Sequence, residues 1–187
     1  MDFSLIRSAF ADPFEKGEQN TTRALVYLVL GVALALFPRV QMGEGLYATL
    51  GDTLLYLCIY TLPFGYSALA YCLPVLIGYA ILGNIPVGIS FLIVRLVAMT
   101  GAKALLCCNT MGGHRRLVLP IAWAGLALLV GSFCYESVFC GVDSAVFNLL
   151  IRLAEWALCA MLAMGIIAFT AQKREKLPKG LLDVLGL

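Results

Sequence analysis

Apolar residues fall into long runs separated by short polar or turn-forming breaks, and the runs set the architecture. No residue from 53 to 94 carries a formal charge. That stretch is about twice the ~20 residues that one helical crossing of a bilayer needs. It folds over at Pro63-Phe64-Gly65 and again at Gly83-Asn84-Ile85-Pro86, because proline removes a backbone donor and Gly-Asn favours turn geometry.

Six crossings are predicted around this element. Residues 24–37 form the first, a short one that Thr21, Thr22, Val40 and Met42 extend while Arg23 and Arg39 snorkel. Residues 46–62 form the second, with Asp52 near its start, and residues 66–82 the third. Pro74 kinks the third, and a neighbouring helix or Ser67 is expected to satisfy the freed carbonyl. Residues 86–106 form the fourth, interrupted by Arg95, Gly101 and Lys103. Residues 117–135 form the fifth, with Pro120 in its first turn, and residues 145–171 the sixth, interrupted by Arg152 and Glu155. The expectation is an all-α, polytopic membrane helix bundle in one domain over residues 1–187, with a tail at 1–22, the bundle at 23–171 and a basic tail at 172–187. In the first tail Phe3, Ile6, Phe10 and Phe14 share a helical face, which suits an interfacial helix or a loose aromatic tail.

Composition removes the soluble alternative. The chain is 61% hydrophobic and only 13% charged, against roughly 25% charged in an ordinary soluble domain. Lys and Arg then give the orientation. Arg7, Lys16 and Arg23 precede the first run; Arg115 and Arg116 follow the fourth and are counted with Lys103 near its end; Lys173, Arg174, Lys176 and Lys179 follow the sixth. Arg39 alone lies on the other side, so both ends are expected in the cytoplasm of a multi-pass cell-membrane protein, with the acidic loop 136–144 outside.

Candidate chemistry is sparse. There are 7 Cys and 1 His, no two Cys have C-x-x-C spacing, and neither a metal centre nor a cofactor is expected. Cys134 and Cys140 flank the outer loop, where they form either a disulfide or two reduced thiols. Hydrolase, nucleotide-binding and paired-carboxylate motifs are absent, so no catalytic residue is named, and the basic residues flank membrane spans rather than mark nucleic-acid binding. The candidates are the charges inside apolar runs: Asp52, Arg95, Arg152 and Glu155. Arg152 and Glu155, one helical turn apart, pair on one face either at mid-depth or near the outer end of their span; Arg95 needs a carboxylate, with Asp52 and Glu155 available. Gly83–Pro86 is either a plain turn or a helix break lining a cavity.

Residues 62–88, LPFGYSALAYCLPVLIGYAILGNIPVG, followed by TGAKALLCCN and RRLVLPIAWAGLALLVGS, resemble the core of the stage II sporulation protein M family. The resemblance covers roughly residues 54–132. It implies a non-catalytic membrane component of an envelope-remodelling complex of the engulfment type, with membrane lipid, envelope membrane proteins or cell-wall hydrolases as partners. The chain departs from that family in the short segment after its first span, where a longer extracytoplasmic region is expected. The buried charges support the alternative, a small solute transporter or the solute-binding membrane subunit of one.

Overall fold

The second apolar run does not form one helix. A computed structural model describes residues 17–37, 39–43, 46–107 and 114–173. Its elements are α1 (Gly17–Leu36), β1 (Arg39–Gly43), β2 (Leu46–Thr49), α2 (Asp52–Thr61), α3 (Phe64–Ile81), α4 (Ile85–Cys107), α5 (His114–Phe139) and α6 (Val142–Lys173). The expected interfacial helix before residue 15 and the basic tail after residue 173 lie outside the described residues, as does most of the polar connection after α4.

Where a continuous second span is expected, β1 and β2 make an antiparallel hairpin with Arg39 opposite Thr49 and Gln41 opposite Tyr47. The β-forming residues Val40, Tyr47 and Thr49 suit that conformation. Only after Gly51 does the chain become helical, for the 10 residues of α2. Four extended residues at ~3.3 Å and ten helical ones at ~1.5 Å span about 28 Å, close to the ~30 Å hydrocarbon thickness. Where one continuous helical span is expected, the chain is thus part strand and part helix.

α3, α4, α5 and α6 are each long and apolar enough to cross a membrane, and α1 contributes a shorter apolar helix. The chain is thus an all-α, multi-pass membrane bundle carrying one small hairpin. Its helices alternate in direction. Thr21 meets Tyr66, and Gly31 meets Pro74, so α1 runs parallel to α3. Tyr79 stacks on Phe91, and Tyr71 contacts Arg95, so α4 runs back along α3.

Close approach between helices comes from small residues. A Cβ on Gly31 would lie 2.7 Å from Cγ of Pro74, so α1 receives the proline ring that interrupts α3. Gly101 and Gly125 receive the indoles of Trp123 and Trp156 in the same way. Of the two partners expected for the carbonyl freed by Pro74, a neighbouring helix or Ser67, Ser67 is engaged elsewhere: its hydroxyl lies within hydrogen-bond distance of the Cys58 and Leu62 carbonyls at the end of α2. Pro120, expected in a first turn, lies further inside because α5 already begins at His114.

Gly83–Pro86 is the plain turn of the two alternatives. Gly83 has φ +74°, and the Gly83 and Asn84 amides bond Ala80 and Tyr79 carbonyls, the pattern of a Schellman helix end.

α2 lies at the centre, touching each of the other five described helices. Leu55, Tyr56, Cys58 and Ile59 on it have no exposed surface. The outside is apolar instead: Ile89, Ile93 and Val97 form an exposed stripe on α4, and Val146, Leu150 and Met161 stay exposed on α6. Such a surface is far larger than water tolerates on a soluble monomer and suits contact with lipid.

Candidate functional site

α2 begins inside the bundle with a carboxylate. Asp52 is its first residue, at the helix end where backbone N–H groups favour negative charge. The Tyr71 hydroxyl donates to Asp52 Oδ1 at 2.7 Å and Arg95 Nη2 donates to the same oxygen at 2.6 Å. The Arg95 guanidinium also lies 4.5 Å from the centre of the Tyr71 ring. Of the two partners available to Arg95, the structure selects Asp52.

A second cluster holds the strand before α2. Arg152 Nη1 donates to Glu155 Oε2 at 2.9 Å and to the Tyr47 carbonyl at 3.1 Å. Glu155 Oε1 accepts the Thr49 amide at 2.6 Å. The expected Arg152–Glu155 pair is formed, but it has a third member: Glu136 Oε1 lies 3.4 Å from Arg152 Nη2. Glu136 was expected in an outer loop. The structure instead extends α5 through it to Phe139, and the residue is 1% exposed.

Arg95 lies ten residues into α4 and Arg152 ten residues into α6, about 15 Å along each axis. The two clusters stand at one level, on a cavity of about 60 Å³ that Asp52, Tyr71, Arg95, Arg152 and Glu155 help to line. Since a water needs roughly 10–15 Å³ on this kind of measure, the space suits a few waters or one small solute.

Cys134 and Cys140, the candidate disulfide, are free exposed thiols. Cys140 donates its amide to the Glu136 carbonyl and so continues the helical geometry of α5. Six helical residues then separate the two Cα atoms by about 9 Å, beyond the ~7 Å reach of a disulfide.

Lys103, near the end of the predicted fourth crossing, is inside as well. Its Nζ donates to the Ile59 carbonyl at 2.7 Å and to that of Leu62. It thereby covers the last carbonyls of α2 and places a cation at the negative end of that helix. α2 is thus bounded by Asp52 at one end and Lys103 at the other.

Comparison with protein-family models, with curated proteins and with solved structures finds no match.

Proposed function

We propose that this chain binds a small polar solute at mid-depth in the membrane and serves in its transport, alone or as the solute-binding membrane subunit of a larger transporter. The carrying observation is the cavity at the break between β2 and α2, on which two ion-paired clusters converge. Each charged side chain costs about 2.5–3.5 kcal/mol at the bilayer centre on insertion scales. A buried ion pair returns little stability over a well-packed apolar replacement, so structural support alone is a weak reason for the arrangement. Discontinuous crossings that end at mid-membrane are also how transporters expose backbone groups to a bound solute. The basic flanks support a cell-membrane placement with both ends cytoplasmic.

The test is independent of solute class. Purified protein in mild detergent is dialysed against a metabolite extract, and retained small molecules are identified by mass spectrometry. Enrichment by the wild-type chain, lost in a Val75→Phe variant that fills the cavity wall, is expected; equal retention by both proteins refutes the reading. The residue pattern over roughly residues 54–132 supports the competing role, a scaffold that localises envelope hydrolases. It predicts co-isolation of such partners and indifference to Val75→Phe.

A further inference from the structure

Resting on the solute-binding reading, we propose that the cavity takes a small organic cation, a protonated amine. The unused capacity of the lining groups carries the argument. Asp52 Oδ1 accepts both Tyr71 and Arg95, which leaves Oδ2 with no bond among the described residues. A carboxylate oxygen facing a cavity is an acceptor only, and an ammonium N–H is the donor that matches it most strongly.

Charge points the same way. Asp52 and Glu155 line the cavity with Arg95 and Arg152, and Glu136, behind Arg152 and off the lining, makes three carboxylates against two guanidiniums among the described side chains of the two clusters. The Arg39 side chain lies outside this count. Lys103 is held by carbonyls at the far end of α2. In a low-dielectric interior an unmatched negative charge is costly, and a monovalent cation balances it where an anion enlarges it. The walls add aromatic faces from Tyr79, Phe91 and Trp156, which attract cations through their π-systems.

Size limits the occupant. The cavity of about 60 Å³ is smaller than the roughly 150 Å³ engineered cavity that admits benzene, so a ligand of about four or five heavy atoms fits the arrangement described.

Three probes of matched size and different charge make the test: ethanolamine, ethylene glycol and glycolate, titrated into purified wild-type protein at constant ionic strength while the melting midpoint and binding heat are followed. Saturable binding of ethanolamine, at least tenfold tighter than either of the others, is expected, with at least a tenfold loss in Asp52→Asn. Should that variant fail to fold, the wild-type ranking still decides. Preference for glycolate or ethylene glycol, an equal response to all three, or no response to ethanolamine overturns the cation assignment. Solute binding itself is judged separately: a neutral or anionic molecule retained from the extract and lost in Val75→Phe leaves that reading standing while this one falls.

Discussion

Replacing Arg152 with leucine strands two carboxylates, and the consequences rank a series of variants. Glu136 is 1% exposed, and the Glu155 side chain is 8% exposed. Removing one member of a buried ion pair in such surroundings costs about 3–5 kcal/mol. If Arg152 and Glu155 were an isolated pair, Arg152→Leu with Glu155→Leu would restore stability. Here that double change leaves Glu136 without its cation and the Thr49 amide without its acceptor, and an unsatisfied buried donor adds about 1–3 kcal/mol. The double variant is therefore expected to remain at least ~3 kcal/mol below wild type. The triple variant Arg152→Leu, Glu155→Gln and Glu136→Gln keeps an acceptor for Thr49, removes all three charges, and is expected within about 2 kcal/mol of wild type.

Reversible unfolding in mixed micelles measures each difference. A double variant with wild-type stability would show that Glu136 does not feel the Arg152 charge, and the three-member cluster would be refuted.

Gly31→Ala places a Cβ 2.7 Å from Pro74 Cγ; thermal unfolding in detergent is expected to show a loss of about 1–3 kcal/mol, recovered largely by Pro74→Ala in the same chain. Lys103→Met removes the donor from the Ile59 and Leu62 carbonyls at the end of α2 and is expected to cost about 1–3 kcal/mol in chemical denaturation, with Lys103→Arg milder; no change would mean that those carbonyls find another donor. In a Cys-free background, Gln41→Cys and Pro63→Cys are expected to react with an impermeant thiol reagent from opposite sides of the membrane, because β2 and α2 together cross it; labelling from one side rejects the discontinuous crossing.

The apolar runs were legible in the sequence because lipid-facing helices must be apolar whatever they pack against. The four charges on the cavity were legible for the same reason, since an ionised group in such a run stands out. The hairpin was not. Val40, Tyr47 and Thr49 have the same hydropathy whether the backbone is extended or helical, so the residues of β1 and β2 were read as ends of helices. Glu136 was misplaced, and Lys103 was counted with the flanking basic residues, for a related reason: at the edge of an apolar run, a charge that ends a helix and one that turns inward look alike. What distinguishes them is a partner distant in sequence, Arg152 for Glu136 and the α2 carbonyls for Lys103. Tyr71 gave no signal, because a tyrosine in an apolar run is ordinary until Asp52 is placed beside its hydroxyl.

The brevity of α2 also bears on how the protein is made. Ten residues reach only about half-way through the hydrocarbon, so this segment cannot be committed to the bilayer as an independent span in the way that α3 to α6 can. Its carboxylate and its last carbonyls take bonds from Ser67, Tyr71, Arg95 and Lys103, which arrive with later parts of the chain. Biogenesis therefore divides into two events: insertion of the long helices by hydrophobicity, then docking of the half-helix and its hairpin into the space they enclose. A lesion at the docking step leaves a chain that is correctly threaded through the membrane yet open at its centre, and quality-control proteases would meet it as an inserted but unassembled protein.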